Sequence, residues 1–365
     1  MAKSLFDLSL DELRDLVREA GEEPYRARQI LNWAYRRMAS SFDEMSDLPV
    51  RLRKFLAEAI PFSRLRVFSK QEASGGWAKR YLWAEGDRPV CESVVLKYRY
   101  GLTGCVSVQV GCPVGCVFCA SELLGFERNL TKGEIVEEFM GMCRDQGERL
   151  GHLVFMGTGE PFLNYEAVLS AIDIMCDPDC YGMSRRKVTV STVGVPEAMR
   201  RYALDCRGAR LALSLHATDD ATRSMLIPMN KRYPVASVVG ALREFAAVTG
   251  QRVTVEYMLI SGVNDSESDA RRLSELLNGL DCVVNLIPWN EVPGMRWRAP
   301  SGTAVDDFRQ VLIRNRMKVT VRRRLGGNID AACGQLRRRA GQEGALGGTG
   351  VGVERKDFSR DGPRR

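Results

Sequence analysis

Histidine is scarce in this sequence, which has only His152 and His216 in 365 residues. This scarcity argues against a Cys₂His₂ zinc finger or a His-rich metal centre, and it leaves few candidates for a histidine general base. No apolar run reaches about 18 residues, so no transmembrane helix is expected. The N-terminal stretch MAKSLFDLSLDELRD soon turns acidic, unlike a secretory signal peptide, and a cytoplasmic protein is therefore expected.

Cysteine, in contrast, is plentiful, with 11 residues spread along the chain. An odd number in a chain without a secretion signal argues against a disulfide framework and favours thiolate or metal chemistry. Apolar residues make up 45% and charged residues 27%, the balance of an ordinary globular protein. The net charge of +7 is only a mild bias toward polyanionic partners.

The first segment, residues 1–63, has the pattern of a small helical domain. Ser9 and Glu12 form a capping box before an apolar periodic run, a second helix opens at Pro24, and a third follows Pro49. Basic residues are interleaved with aromatic ones here, which predicts either an RNA-contacting face or a solvated face over a small core. The residues concerned are Tyr25, Arg26, Arg28, Trp33, Tyr35, Arg36 and Arg37.

Strand-like and helical runs alternate from residue 101 to 336. The predicted strands are Cys105–Val110, His152–Met156, Lys187–Ser191, Arg210–Leu215, Arg252–Ile260, Cys282–Ile287 and Lys318–Arg322. Strand and helix repeat about six times, which predicts an α/β fold with a parallel sheet, as in a partial (β/α)6 TIM-like barrel. Residues 64–100 are expected to form a short antiparallel extension, and the Gly-rich basic residues 337–365 a disordered tail.

Three cysteines directly follow the first predicted strand of that sheet: Cys112, Cys116 and Cys119, in GCPVGCVFCA. The spacing C-x₃-C-x₂-C indicates a zinc or iron–sulfur site rather than buried inert thiols. No fourth cysteine or histidine follows nearby, whereas structural zinc needs four protein ligands and most catalytic zinc needs histidine. A 4Fe–4S cluster held by three thiolates would leave one iron open to a ligand.

Other polar residues also fall where predicted strands end. Loops at the carboxyl ends of barrel strands carry the chemistry of such folds. Each of these residues, taken alone, fits a turn or a structural role equally well. Their shared position predicts one site, made of Gly159 and Glu160 in GTGEP, Ser191 in STVG, Ser214, Leu215 and His216 in SLH, and Asn290 in PWNEVPG.

The cysteine motif, with an aromatic residue before its last cysteine and a βα barrel after it, resembles the radical S-adenosylmethionine superfamily. The resemblance implies a 4Fe–4S cluster on Cys112, Cys116 and Cys119, whose open iron binds S-adenosylmethionine. It also implies reductive cleavage of that cofactor to a 5′-deoxyadenosyl radical. Cofactor contacts are implied at the polar residues of the four strand-end loops.

A larger set of motifs resembles the RlmN/Cfr family of RNA adenine methyltransferases over most of the chain. The motifs are ARQILNWAY, CVSVQVGC, GFERNL, STVG, SLHA, PMNKRY, LIPWN and GGNIDAACGQL. The resemblance implies methylation of adenosine C2 in 23S ribosomal RNA and in transfer RNA, with two molecules of S-adenosylmethionine. It implies that Cys333 carries the methyl group as S-methylcysteine, that Glu92 accepts a proton, and that Cys105 forms a transient disulfide with Cys333.

The same resemblance implies an external electron donor of the flavodoxin or ferredoxin type, no membrane partner, and a monomeric enzyme. A basic surface should hold the RNA phosphates, and the stretch RNRMKVTVRRR, residues 314–324, is a candidate beside the N-terminal arginines. The chain departs from the family pattern at Thr158, where methionine is usual, and at Leu325 and Asn328, where arginine and aspartate are usual.

Three alternatives stay open at this point. Methylation could fall on adenine C8, as in the antibiotic-resistance branch of the family. A radical enzyme acting on a protein or small molecule would keep the cysteine motif but would not need the pair Cys105 and Cys333. A zinc-stabilised RNA-binding module is the alternative that is not an enzyme.

Overall fold

A ten-stranded mixed sheet organises the protein. The computed structural model describes residues 3–121, 125–205, 208–290 and 295–322. The strands are β1 Leu65–Glu72, β2 Ala78–Glu85, β3 Arg88–Tyr98, β4 Gly101–Val106, β5 Gln109–Gly111, β6 Phe126–Asn129, β7 His152–Phe155, β8 Val188–Thr192, β9 Arg210–Ser214, β10 Val253–Leu259, β11 Cys282–Pro288 and β12 Lys318–Val321. Strands β5 and β6 pair separately as a two-stranded ribbon.

The order in the main sheet is β1-β2-β3-β4-β7-β8-β9-β10-β11-β12. Strands β1 to β4 pair antiparallel, and every pair from β4 to β12 is parallel. Neighbouring strands are parallel and follow chain order because of the strand–helix repeat. Each helix returns the chain to the end of the sheet at which the previous strand began. Among the described strands no hydrogen bonds close the sheet on itself. The predicted α/β fold with a large parallel sheet and an antiparallel extension is confirmed.

Helices cover this sheet and precede it. They are α1 Leu10–Glu19, α2 Arg26–Leu31, α3 Val50–Ala59, α4 Lys132–Gln146, α5 Tyr165–Cys176, α6 Pro196–Asp205, α7 Asp220–Leu226, α8 Val235–Thr249, α9 Glu267–Leu276 and α10 Gly302–Arg314. A π-helical turn, Asn32–Arg36, continues α2. The predicted capping box at Ser9 and Glu12 is present at the start of α1, and reciprocal side-chain bonds satisfy backbone donors there.

The first parallel strand begins and ends earlier in the chain than predicted. The pattern predicted one strand over Cys105–Val110, but β4 ends at Val106 and the chain re-forms as β5 from Gln109. Thr158, in the loop after β7, explains the break: its carbonyl accepts the backbone N–H groups of both Val108 and Gln109. The backbone groups of this turn are therefore paired with a loop instead of with a strand.

The N-terminal helices are joined to the sheet through a buried carboxylate on α4. Both oxygens of Glu137 are used: Ser4 donates to one, while Ser63 and the backbone N–H groups of Arg64 and Leu65 donate to the other. Glu137 is 1% exposed. A buried carboxylate needs such donors to offset its desolvation, so both ends of the N-terminal segment are bound to α4 by one side chain.

The aromatic and basic residues of the N-terminal helices do not all lie on an exposed face. Tyr35 is buried and its ring packs edge-on against Phe6, so it belongs to the core. Arg36 donates to the Pro178 carbonyl, and Arg28 pairs with Asp179 at 3.4 Å, both in the turn after α5. Charge on this helix face thus serves contact with the sheet domain as well as solvation.

No helix among the described residues combines the length and hydropathy needed to cross a bilayer.

Candidate active site

The three motif cysteines lie on the loop after β5. Trp289 and Trp297 each donate an indole N–H to this loop, at the carbonyls of Phe118 and Val117, across 3.1 and 3.0 Å. Val117 also donates its backbone N–H to Leu226 at the end of α7. Elements distant in sequence therefore hold the loop, and all three cysteines are half-buried rather than exposed.

Burial and mutual crowding oppose ionisation of these thiols. Burial, and to a lesser extent the neighbouring Cys119, raises the pKa of Cys112 to about 12. Burial, then Cys119 and Cys112, raise the pKa of Cys116 well above its ordinary value. The thiolate is the metal-binding form. The three neighbouring thiols can therefore be ionised together only when a positively charged group binds beside them.

The donor set fits a three-thiolate iron–sulfur cluster. Thiolate sulfur is the ligand that such clusters take, and their iron supplies the missing positive charge. Within the described residues, no group of three or more His, Cys, Asp or Glu side chains has the arrangement of a site for one metal ion. The fit therefore rests on three neighbouring thiols at the wall of a cavity.

That cavity joins most of the predicted site. Its space measures about 820 Å³ with its open mouth included. The predicted residues that line it are Cys112, Cys116, Cys119, Gly159, Glu160, Ser191, Ser214 and His216. Apolar residues complete the wall, among them Val114, Phe118, Phe155 and Ile287. The cysteine, GTGEP, STVG and SLH loops thus meet at one cavity, as the sequence predicted, while the loop of Asn290 is not among the described lining.

The GTGEP loop has a conformation that requires glycine. Gly159 has a φ of +109°, and a Cβ there would lie 2.7 Å from Cβ of Gln109, so a side chain would be strained and would clash. The next residue, Glu160, is buried. Its two carboxylate oxygens accept the backbone N–H groups of Phe162 and Val193 at 3.0 and 2.9 Å. Glu160 thereby joins the loop after β7 to the loop after β8, while burial raises its pKa.

His216 lines the cavity as a neutral imidazole. Its Nδ1 accepts the backbone N–H of Met258 at 2.9 Å, which places the ring proton on Nε2. Burial, and secondarily Arg223, lowers its pKa to about 3. The residue has a φ of 60°, which is unusual for a residue with a side chain and is found at functional sites. His216 can donate a hydrogen bond but is a poor base.

Arg223 on α7 was missed by the sequence analysis. Its side chain is buried and donates to the carbonyls of Leu215, Ser214, Val193 and Tyr233 and to the Asn230 side chain. The guanidinium therefore braces two of the strand-end loops from behind. Burial lowers its pKa to about 10, and its positive charge favours the Cys116 thiolate. PMNKRY, which contains Asn230 and Tyr233, was the available signal.

Glu92 and Cys105 lie on the antiparallel part of the sheet, and neither is among the described residues that line the cavity. Cys105 pairs with Val94 in the β3–β4 register, and residues two apart share a face, so Glu92 and Cys105 lie on one face of the sheet. Arg80 lies 3.5 Å from the Glu92 carboxylate, and both side chains are buried. Cys105 is 5% exposed and packs in a cluster with the cavity residue Met156.

Ser107 connects these two halves. Its hydroxyl donates to the Glu92 carbonyl at 2.6 Å and accepts the Thr158 backbone N–H at 2.9 Å. One side chain thus ties the strand of Glu92 to the GTGEP loop, directly after the strand that carries Cys105. The departure Thr158 is itself buried, and its hydroxyl lies 3.5 Å from that of Ser121.

The remaining predicted residues lie elsewhere. Leu215, the middle residue of SLH, has a fully buried side chain, and its backbone carbonyl accepts a hydrogen bond from Arg223. Asn290, the residue after Trp289, is also buried. Neither Leu215 nor Asn290 is among the described residues that line the cavity. Cys333, Leu325 and Asn328 lie outside the described residues. Glu256 and Arg322, which the sequence analysis did not single out, do line the cavity.

Two family models match this chain. Residues 3–61 match the Ribosomal RNA large subunit methyltransferase N-terminal domain, and residues 106–273 match the Radical SAM superfamily. A protein of Pelotomaculum thermopropionicum described as a probable dual-specificity RNA methyltransferase RlmN is 45% identical over 334 residues, which cover 91% of each chain. The chain belongs to the RlmN family.

Two further comparisons cover the chain equally well. A Thermotoga neapolitana protein with the same description is 41% identical over 336 residues, covering 92% of this chain and 97% of that protein. The crystal structure of a radical SAM methyltransferase from Sphaerobacter thermophilus is 42% identical, covers 92% of this chain and 99% of that one, and has a TM-score of 0.88. The resemblance to the RlmN/Cfr family and the radical SAM fold are confirmed.

Proposed function

We propose that this protein is a radical S-adenosylmethionine enzyme that methylates C2 of adenosine in 23S ribosomal RNA and in transfer RNA. One observation carries the proposal: three crowded thiols share a cavity with Glu160, Ser191, Ser214 and His216 in a chain of the RlmN family. When bound, a 4Fe–4S cluster and S-adenosylmethionine supply the one-electron chemistry that activates a carbon–hydrogen bond. Cys112, Cys116 and Cys119 hold the cluster.

The protein's own residues position the cofactor and exclude water. The GTGEP loop, fixed by Gly159 and Glu160, presents backbone carbonyls and a carboxylate suited to an amino group. His216 donates from Nε2 into the cavity, since its Nδ1 is already occupied. Phe118, Phe155 and Ile287 line the wall and keep the site apolar. Asn290 and the backbone of Leu215 complete the proposed cofactor site.

Cys333 carries the methyl group in this proposal. Adenine C2 is electron-poor and is no partner for a polar methyl transfer, whereas a cysteine thiolate is a good nucleophile. The Cys333 thiolate takes a methyl group from one S-adenosylmethionine and becomes a thioether. The one-electron chemistry of the bound cofactor would remove a hydrogen atom from this methyl group, and would take back one electron after its carbon has bonded to C2 and Glu92 has accepted the proton from C2. The Cys105 thiolate then attacks the Cys333 sulfur, so that the S–S bond forms as the S–C bond breaks, and the released carbon takes up a proton as the methyl group of the RNA.

The reach of the chain is compatible with that role. β12 ends beside the cavity, and Arg322, the residue after it, lines the cavity wall. Cys333 follows Arg322 by only a short stretch of chain, and an extended chain spans about 3.3–3.6 Å per residue. The described chain therefore leaves the sheet at the cavity wall. Arg322 also contacts Met156, with its Nη1 4.0 Å from the sulfur, which links this edge to the Cys105 cluster.

The substrate is a folded RNA whose target base must leave its stack to enter the cavity. Residues 1–63 form an RNA-contacting domain in this proposal, with exposed Tyr25 as one stacking surface. Residues 64–100 extend the sheet, residues 101–336 form the catalytic domain, and residues 337–365 form a basic tail. A flavodoxin- or ferredoxin-type protein supplies electrons, and the enzyme acts as a cytoplasmic monomer.

Anaerobic turnover with methyl-deuterated S-adenosylmethionine and a ribosomal RNA fragment tests this function. The wild-type protein should be brown and should place label on adenine, and mass mapping should locate the label at C2. Cys333→Ala should keep the cluster absorbance and transfer no label. Label on C8, label from Cys333→Ala, or a colourless zinc protein would each contradict the proposal.

A further inference from the structure

A row of polar side chains crosses the interior face of the parallel sheet at one level. In the strand register, Glu256 of β10 pairs with Ser214 of β9 on one side and with Asn285 of β11 on the other. Asn285 in turn pairs with Thr320 of β12. Partners in register point to the same face, so one polar group from each of four neighbouring strands lies in line. Only Ser214 belongs to the cofactor site proposed above.

Two hydrogen bonds give this row a direction. The Thr320 hydroxyl donates to Oδ1 of Asn285 at 2.9 Å. That contact turns the amide nitrogen of Asn285 toward Glu256, and Nδ2 donates to Oε2 of Glu256 at 2.7 Å. Thr320 is exposed, Asn285 is half-buried and Glu256 is 5% exposed. The chain of bonds therefore runs from the surface inward and ends on a carboxylate.

The carboxylate of Glu256 lies in the wall of the same cavity as the three thiols. Burial raises its pKa, while Arg322 and Asn285 act in the opposite direction. Burying a carboxylate costs free energy. The sheet does not need Glu256 for its packing, since Val255 and Tyr257 already fill the opposite face. A charged acceptor that is oriented by two neighbours and placed at a cavity wall is a feature of ligand sites.

We propose that Glu256, positioned by Asn285 and Thr320, binds the hydroxyl or amino donors of an adenosine in this cavity. The inference rests on the proposed function, in which both reactants, S-adenosylmethionine and the target nucleotide, contain adenosine. Ribose hydroxyls and the adenine amino group are donors, and a carboxylate accepts them in charge-assisted hydrogen bonds. Ser214, adjacent in the row, supplies a second polar contact. Asn285 and Thr320 are positioning residues that touch no ligand.

Two equilibrium measurements on the anaerobic holoenzyme, without reductant, separate the two sources of adenosine. One is the Kd for S-adenosylmethionine, and the other is the Kd for an RNA fragment at saturating S-adenosylmethionine. Glu256→Gln should raise one of these constants about tenfold, as expected for loss of a hydrogen bond to a charged group. The constant that rises identifies whether the cofactor or the target nucleotide is bound.

Thr320→Val tests the positioning role at an exposed residue where folding is little affected. It should raise the same constant about threefold, because the Asn285 amide loses the partner that orients it. Thr320→Ser keeps the hydroxyl and should restore the wild-type value, whereas a merely structural effect would be seen in the melting temperature instead. Asp269→Asn is the control for removal of a buried carboxylate outside the cavity, in the capping box of α9, and both binding constants should stay unchanged.

Unchanged values of both constants in Glu256→Gln, with wild-type binding intact, would overturn this inference and leave the proposed function standing. Equal values for Thr320→Val and Thr320→Ser would overturn the positioning role. Failure of the wild-type holoenzyme to bind S-adenosylmethionine would overturn the proposed function, and this inference with it.

Discussion

The backbone N–H of Met258 donates a hydrogen bond to Nδ1 of His216 across 2.9 Å. This bond decides what the imidazole can do, because it fixes the ring proton on Nε2. The ring is fully buried, with its pKa lowered to about 3. His216 is therefore a fixed hydrogen-bond donor and not an acid–base group. Its protonation affects the stability of the folded protein.

The neutral state of His216 predicts acid sensitivity. Its pKa is about 3 when folded and 6.5 as the reference for the unfolded chain, so the unfolded state binds the proton first. Its contribution to stability is present above pH 6.5 and is lost as the pH falls toward 3. Between pH 7 and pH 5 the loss should be about 2 kcal/mol. Urea unfolding of the anaerobic holoenzyme at both pH values measures it.

His216→Asn should remove most of that pH dependence. Asparagine tolerates a positive φ and its side-chain oxygen can accept the Met258 N–H. His152→Asn is the control, because that ring is only half-buried and should contribute less. An unchanged pH dependence in His216→Asn would show that another group is responsible. Buried carboxylates with raised pKa, such as Glu160, act with the opposite sign, so comparison with wild type isolates the histidine.

Arg223→Lys should destabilise the protein although it preserves charge. A lysine ammonium cannot reach the five acceptors that the guanidinium contacts. The free energy of unfolding should fall by about 2–4 kcal/mol, because buried carbonyls lose their donors. Arg200→Lys, at an exposed pair with Glu244, should leave it unchanged. A similar effect of the two substitutions would contradict the bracing role.

Gly159→Ala should weaken S-adenosylmethionine binding. The residue has a φ of +109° and its Cβ would approach Gln109 to 2.7 Å, so the GTGEP loop must move at a cost of about 1–3 kcal/mol. The expected rise in Kd is about tenfold. Gly240→Ala is the matched control: that glycine lies within α8 with nothing within 4 Å of the added Cβ. It should stabilise the protein slightly.

Cys105→Ala should trap the product on the enzyme. Without the attacking thiolate, the bond between Cys333 and the methylated base is not broken, and a covalent protein–RNA species should accumulate on denaturing gels. Cys91→Ala removes an equally buried thiol from the neighbouring strand, where Cys91 contacts Glu138 on the other face. That variant should release RNA normally. Release by Cys105→Ala would contradict the assigned role.

Local patterns predicted the framework of this molecule correctly. The capping box at Ser9 and Glu12 and the parallel order of the strands depend on period and on short-range bonds, which a sequence displays directly. The eight predicted residues that line the cavity were found because strand ends meet at one edge. Tyr35 was misplaced because a helix face was assigned from nearby arginines, two of which also contact the turn after α5.

Tertiary pairing was not visible in the sequence. In the sequence, Arg223 looks like an ordinary arginine on a helix. Only the fold shows that it donates hydrogen bonds to four backbone carbonyls. The break after Val106 depends on the Thr158 carbonyl, which is distant along the chain. Glu256 did leave a signal: in VTVEYML a carboxylate interrupts an apolar strand of a buried sheet, where a charge is costly.

The four donors that converge on Glu137 bear on how such an enzyme can evolve. A chain that began at residue 66 would keep the acidic group on α4 but lose every one of them, leaving an uncompensated charge in its interior. The amino-terminal helices are therefore not an interchangeable cassette. A change of RNA target has to arise from substitutions on the surface of the existing domains. Replacing the N-terminal helices with an unrelated domain would destabilise the catalytic domain.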